Sequence, residues 1–269
     1  MLLLFATKAL IAPVLLALAA IVEHRWGAAV GGWILGLPLT SGPASFFLLT
    51  EHGPRFAENA ARGTLLGLVG AGVFVAGYSL AAQERSWRRS LALAGVACLT
   101  VSFALSQVHL NLEMTLVFAA VVLAIVAVLA RGPKRMASPE AAPRTSRRGL
   151  AFRMLVASAV VLGVSLASTM LGSVASGMLA TVPAITAVMA VSTHRAAGKD
   201  SARSMLRGSI AGMCGGAAFF SVVALLVMSA TPGVTYLAAA GAAAVVATVS
   251  GQITARSACA AAPSRVAAA

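Results

Sequence analysis

The hydrophobic positions of this chain form long runs separated by short polar stretches. Each run holds about 20 mostly apolar residues, which is the length an α-helix needs to cross the hydrocarbon core of a bilayer. None alternates with the period of two that a membrane strand requires. Nine such segments, numbered one to nine in chain order, cover residues 2–22, 26–50, 62–82, 89–108, 112–130, 150–171, 173–193, 204–229 and 233–253. The pattern predicts an all-α polytopic membrane protein with about nine transmembrane helices.

Composition supports a membrane protein. Of the 269 residues, 59% are hydrophobic and only 10% are charged, whereas soluble domains carry about 25% charged residues. This composition excludes a water-soluble enzyme, a secreted disulfide scaffold and a nucleic-acid-binding domain, but it leaves a membrane-embedded enzyme open. The bilayer and a small solute are therefore the predicted partners, and a homo-oligomer is left open.

Basic residues give the predicted orientation. If every segment crosses the membrane, 17 of the 20 Lys and Arg residues follow odd-numbered segments, and only Lys8, Arg55 and Arg62 lie on the other side. Lys and Arg collect in cytoplasmic loops, so the split predicts an N-terminus outside and a C-terminus inside. The first segment lacks the basic region that precedes the core of a signal peptide, which favours a transmembrane helix over a cleaved leader.

The chain also matches itself modestly at an offset of 141 residues, so that segments one to four map onto segments six to nine. The matched pairs include Gly36 with Gly177, Thr40 with Thr181, and Arg62 with Arg203. Because one linking span inverts the second unit, the match predicts an inverted repeat, an arrangement typical of secondary transporters. The predicted parts are a four-helix repeat over 1–110, a linking helix over 111–131, a basic cytoplasmic linker over 132–149, an inverted four-helix repeat over 150–254 and a disordered tail over 255–269.

Prolines are predicted to break the helices of segments two and seven. A proline removes a backbone donor, and a broken helix persists in a bilayer where it faces protein or a wet cavity. Hydroxyl side chains lie at the same depth, so we expect a paired substrate-binding site; the alternative is two ordinary kinks whose hydroxyls bond to their own turns. The candidate residues are Pro38, Thr40, Ser41, Pro43, Thr181, Pro183 and Thr186.

Other candidate chemistry is sparse. Glu51, His52, His109 and Glu113 lie near the predicted outer face and are candidates for proton transfer or gating. No carboxylate lies in mid-span, which argues against a buried proton relay. The chain contains no metal-ligand, nucleotide-binding or hydrolase motif, so the sequence predicts no catalytic residue, no metal and no cofactor. Small residues at four-residue spacing in segments three and eight predict close helix packing.

Two stretches resemble known bacterial sequences. The first, GLPLTSGPASFFLLTEHG at 36–53, carries G-L-P-x-T-S-G-P and resembles uncharacterised bacterial inner-membrane proteins. The second, GMLATVPAITAVM at 177–189, is similar to short four-span bacterial membrane proteins of unknown function. The resemblance implies a multi-pass protein of the bacterial cytoplasmic (inner) membrane. The duplicated plan also resembles the architecture of the drug/metabolite transporter superfamily.

Together these features predict a transporter, or permease, for a small solute that works by alternating access between the inverted repeats. Two other functions stay open at this stage. An intramembrane enzyme acting on a lipid would need an acid–base pair such as His52 with Glu58 or His109 with Glu113 in a lipid-accessible cleft. A non-transporting membrane scaffold would have a dry, packed interface between segments two and seven.

Overall fold

A computed structural model describes residues 28–39, 41–108, 110–129, 155, 159, 173–175, 177–178, 181 and 183–260, with side chains up to 253. All regular secondary structure in these residues is helical. The helices are α1 (Ala28–Gly36), α2 (Ser41–His52), α3 (Pro54–Ala81), α4 (Trp87–Ser106), α5 (Leu112–Leu129), α6 (Ala184–Leu226) and α7 (Pro232–Ala260).

Within the described residues, six helical stretches are long and apolar enough to cross a membrane. The first of them, Ala29–His52, runs over both α1 and α2, and the others correspond to α3 through α7. The multi-pass helical class predicted from the sequence is therefore confirmed. Predicted segment one, and all of segment six except residues 155 and 159, lie outside the described residues, so the total of nine stays a prediction.

Two glycines with positive φ divide long helical stretches. Gly53 (φ 86°, ψ 176°) separates α2 from α3, and Gly198 (φ 83°, ψ 175°) divides α6 into α6a (184–197) and α6b (199–226). This backbone conformation is essentially restricted to glycine. The polar stretches between segments two and three and between segments seven and eight are therefore not loops. Each contains one tight turn, because a single glycine suffices to reverse the chain and helix resumes at the next residue.

Helices α3 and α6b form the centre of the molecule and run antiparallel. Near the end of α3, the Tyr78 Oη lies 3.2 Å from the His194 Nδ1, and the Lys199 ammonium donates to the Gln83 carbonyl at 2.9 Å. Near the start of α3, side chains cluster with the C-terminal half of α6b. That cluster includes Ala57, Ala61, Phe220 and Val223. The Gly53 and Gly198 turns therefore lie at opposite ends of the central pair, which we call the Gly53 end and the Gly198 end.

Helices α4, α5 and α7 pack around this pair and present apolar side chains outward. Every residue of α3 from 63 to 72 is buried, whereas the outer helices expose large hydrophobic side chains. Among them are Leu99, Phe103, Val117 and Leu237, which are 64% to 76% exposed. Such a surface suits lipid rather than water.

Glycine stripes on the two central helices receive short helical segments from elsewhere in the chain. Helix α1 lies so close to α6b that a Cβ on Gly208 or Gly212 would overlap the carbonyl oxygen of Ala29 or Trp33. The residues at 173–178 lie equally close to α3, where a Cβ on Gly63 would overlap the Val174 carbonyl oxygen. The predicted stripes thus allow close packing, but each stripe faces a broken segment rather than the other stripe.

Candidate functional site

The candidate site consists of two interruptions of helical structure. Helix α1 ends at Gly36 and α2 begins at Ser41, so the first break includes residues 37–39 and contains Pro38. In the second break, Thr181 lies in a turn, Pro183 is non-helical and α6 begins at Ala184. Both interruptions lie in segments two and seven, where the prolines of the sequence predict broken helices.

Tight local hydrogen bonds satisfy much of the first break. The Leu37 amide donates to the Ile34 carbonyl at 3.1 Å, and the Leu39 amide donates to the Leu37 carbonyl at 2.8 Å. The Gly42 amide then donates to the Pro38 carbonyl at 2.8 Å and starts α2. Pro43 lies inside the first turn of α2, where a missing backbone donor removes no helical hydrogen bond. Pro38, and not Pro43, therefore belongs to the break itself.

The second break contains a similar turn. Both the amide and the hydroxyl of Thr181 donate to the Met178 carbonyl, at 3.2 Å and 2.8 Å. The Ala187 amide donates to the Pro183 carbonyl at 2.8 Å. The Thr181 hydroxyl therefore bonds to its own turn, as in the packing alternative raised above.

Both breaks lie beside the middle of a central helix. A Cβ on Gly216 of α6b would be 3.4 Å from the Gly36 carbonyl oxygen and 3.9 Å from the Pro38 Cδ. Thr181 contacts α3 at Gly67, where an added Cβ would overlap its hydroxyl oxygen. Since these glycines lie near the middle of helices that can span a membrane, the breaks lie far from both helix ends.

The hydroxyls of Ser41 and Thr186 differ from that of Thr181 in their hydrogen bonding. Ser41 and Thr186 are half-buried in the first turns of α2 and α6a, three residues after Pro38 and Pro183. Within the described residues neither hydroxyl makes a hydrogen bond, in contrast to Thr181. Thr40 lies outside the described residues. The structure therefore retains Ser41 and Thr186 as the candidates whose hydroxyls could meet a solute.

The candidate gating residues lie at the Gly53 end. Glu51, His52 and Glu113 are exposed, and the His52 ring stacks on Phe56 with centroids 4.4 Å apart. His109 lies outside the described residues, so its pairing with Glu113 stays a prediction. Asn111 caps α5, because its side-chain oxygen accepts a hydrogen bond from the Met114 amide at 2.9 Å.

Two polar contacts hold the second halves of the broken segments. At the Gly53 end, the Ser45 Oγ of α2 lies 2.8 Å from the Tyr236 Oη of α7. At the Gly198 end, His194 of α6a contacts Tyr78 of α3 as described above. The sequence offered no signal for either pairing, because the partners are more than 100 positions apart.

In comparisons with known proteins, no family model, no curated protein and no solved structure matches the chain.

Proposed function

We propose that the chain is a membrane transporter of a small solute, working by alternating access between two inverted repeats. The observation that carries this proposal is the reciprocal docking of the two broken segments. Each one packs beside the middle of one helix of an antiparallel central pair. Transporters built from inverted repeats place their substrate sites at such discontinuous helices near the bilayer midplane.

The contacts support a repeat in a register of 145 residues rather than 141. Helices 54–81 and 199–226 begin and end 145 positions apart, as do the Gly53 and Gly198 turns. Neighbours repeat in the same register: Gly63 meets Val174 and Gly208 meets Ala29. The register extends to the outer helices, where Gly70 approaches Cys98 and Ser102 while Gly215 approaches Ala243 and Ala247.

In the 145-residue register, candidate residues of the first half correspond to candidate residues of the second half. Pro38 corresponds to Pro183 and Ser41 to Thr186, so each half supplies one proline and one half-buried hydroxyl. Each docking segment lies on a helix of the other half, which means that the two halves interlock. Movement of one half against the other would therefore change the surroundings of both breaks at once.

The charges of the two ends support the orientation predicted from the sequence. Among described side chains, the Gly198 end carries seven Lys or Arg residues and two acidic residues. The Gly53 end carries two Arg residues and three acidic residues. Because Lys and Arg collect on the cytoplasmic side, we assign the Gly198 end to the cytoplasm. The Gly53 end then faces outward. The resemblance of residues 36–53 to bacterial inner-membrane proteins supports a bacterial inner membrane as the location.

Water access to the breaks tests this proposal without knowledge of the solute. Maleimides react with thiolates, which form in water and not in lipid or in a dry core. In a variant lacking Cys98, Cys214 and Cys259, we expect Ser41→Cys and Thr186→Cys to be labelled. Ser209→Cys is the control, because Ser209 lies within the membrane-spanning helix α6b and is 1% exposed. Labelling of neither break would contradict the proposal and favour the scaffold.

A solute screen by thermal stabilisation then tests ligand binding. A solute that stabilises the wild type should lose its effect in Ser41→Ala and Thr186→Ala but keep it in Thr248→Ala, whose hydroxyl bonds to the Ala244 carbonyl of its own helix. An unchanged effect in both break variants would move the binding site elsewhere. The lipid-enzyme alternative would gain support if phospholipid were cleaved and His52→Ala abolished the cleavage.

A further inference from the structure

The Gly198 end carries a dense group of basic side chains from two separate parts of the chain. We call it the basic cluster; it consists of Arg85, Arg88, Arg89, Arg195, Lys199, Arg203 and Arg207. Only Glu84 and Asp200 oppose it among the described residues. The Lys199 ammonium joins the two parts by donating to the Gln83 carbonyl, so the charges belong to one surface rather than to two independent loops.

Trp87 organises one side of this cluster at the start of α4. The guanidinium carbons of Arg88 and Arg195 lie 5.3 Å and 5.4 Å from the centre of the Trp87 ring. Tryptophan prefers the level of the lipid headgroups. A guanidinium over an aromatic face keeps its N–H donors available for an oxyanion. Trp87 therefore holds two arginines beside a side chain that is typical of the headgroup layer.

Arg203 and Arg207 extend the cluster along α6b. They are one helical turn apart and share a face, and both are half-buried. Asp200 lies 3.9 Å from Arg203, so one distant carboxylate opposes two guanidiniums, and the Arg203 Nε is buried without a hydrogen-bond partner in the described part of the chain. Long basic side chains near a helix end can extend toward the interface, which directs these charges toward the same headgroup layer.

We propose that the basic cluster binds the phosphodiester headgroups of anionic phospholipids in the leaflet on the Gly198 side. The Gly53 end provides the contrast in charge, because its two basic residues are outnumbered by Glu51, Glu58 and Glu113. The Arg62 Nε, like the Arg203 Nε, is buried without a partner in the described residues, but the terminal nitrogens of Arg62 donate to Asn59 and to the Leu110 carbonyl. Binding is thus confined to one leaflet. The inference requires only a membrane location, so it stands or falls independently of transport.

Lipid retention during purification tests this inference. The full-length protein is placed in nanodiscs with equal amounts of phosphatidylglycerol and phosphatidylcholine, extracted, and its retained lipid measured by mass spectrometry. We expect retained lipid to be enriched in phosphatidylglycerol. Each basic side chain near an anionic surface contributes about fivefold in binding, so Arg203→Gln/Arg207→Gln should lose most of the enrichment, and the exposed Arg195→Gln should lose about fivefold.

The matched control is Arg55→Gln, which removes an exposed arginine at the Gly53 end and should retain wild-type enrichment. If the double variant fails to fold, the lipid enrichment of Arg195→Gln alone tests the proposal, because replacing this exposed side chain should leave the fold intact. The proposal is overturned if the wild type shows no preference for phosphatidylglycerol or if Arg55→Gln loses as much as Arg195→Gln. Complete displacement of the lipid by excess inorganic phosphate would also overturn it, by identifying a free-anion site.

Discussion

The two docking sites of the molecule share their backbone geometry but differ in their side chains. Helix α1 meets α6b through main-chain contacts at Gly208 and Gly212, and the Trp33 indole adds a hydrogen bond to the Ala247 carbonyl at 3.0 Å. On the other side, the residues at 173–178 meet α3 at Gly63 and Gly67, and the Thr181 hydroxyl fills the space beside Gly67. The common plan thus rests on glycine and backbone, while polar side chains distinguish the two sites.

The Gly53 end and the Gly198 end also share their backbone geometry and differ in their side-chain contacts. Both turns use a glycine in the same conformation, yet Ser45 with Tyr236 holds the Gly53 end and Tyr78 with His194 holds the Gly198 end. The basic cluster lies at one end only. The two ends thus share their backbone geometry and differ in their polar contacts, which is compatible with the proposed alternating access, in which the two ends open separately.

The largest effect is expected from filling the docking glycines. Gly212→Leu forces a side chain into the Trp33 main chain, and Gly67→Leu forces one into the Thr181 hydroxyl and the Met178 main chain. Overpacking usually costs about 1–3 kcal/mol and occasionally more, and clashes with main-chain atoms belong at the upper end of that range. We expect both variants to lose the folded state, as measured by the unfolding midpoint in detergent. Gly95→Ala and Gly241→Ala are controls, because an added Cβ there meets nothing within 4 Å, and both should be nearly neutral.

A rescue sharpens the comparison of the docking sites. The atom nearest to a Cβ on Gly67 is the Thr181 hydroxyl, whereas on Gly212 it is a main-chain oxygen. Thr181→Ala should therefore partly restore the stability of Gly67→Ala, while no single side-chain truncation should restore Gly212→Ala. Equal stability of Gly67→Ala with and without Thr181→Ala would contradict this difference between the two sites.

The turn glycines should give an intermediate effect that is equal at both ends. An added Cβ at Gly53 or Gly198 meets no atom within 4 Å, so the cost of Gly53→Ala or Gly198→Ala is conformational only. Backbone conformations of this kind cost about 1–3 kcal/mol for residues other than glycine. Chemical denaturation of the two variants measures this cost. Loss of stability at one turn alone would show that the turns are not equivalent.

Most of the helical plan could be predicted from the sequence, but the register of the proposed repeat could not. Glycines recur every four residues in the stripes, so Gly208 can be matched with Gly67 at an offset of 141 or with Gly63 at 145. A shift of one helical turn keeps the same face and many of the same matches. The docking contacts, the bounds of the two central helices and the positions of the two turn glycines favour 145. The Ser45–Tyr236 and Tyr78–His194 contacts were also unpredictable, because they join distant parts of the chain.

The smallest effects are expected from these two polar contacts. Side-chain hydrogen bonds between membrane helices contribute about 0.6 kcal/mol on average and up to about 1.7 kcal/mol. We expect Tyr236→Phe to cost more than Tyr78→Phe, because Ser45 is 4% exposed and His194 is only half-buried and can reach water. Thermal unfolding of both variants measures the difference. A larger cost for Tyr78→Phe would reverse our view of which end is held more tightly.

The inverted relation between the two halves is most directly tested by labelling both turns. His52 and Ala197 are exposed neighbours of Gly53 and Gly198, so His52→Cys and Ala197→Cys form a matched pair in a variant without the native cysteines. With a membrane-impermeant maleimide on intact cells, we predict labelling of His52→Cys from outside and labelling of Ala197→Cys only after the membrane is opened. Labelling of both positions from the same side would contradict the inverted repeat.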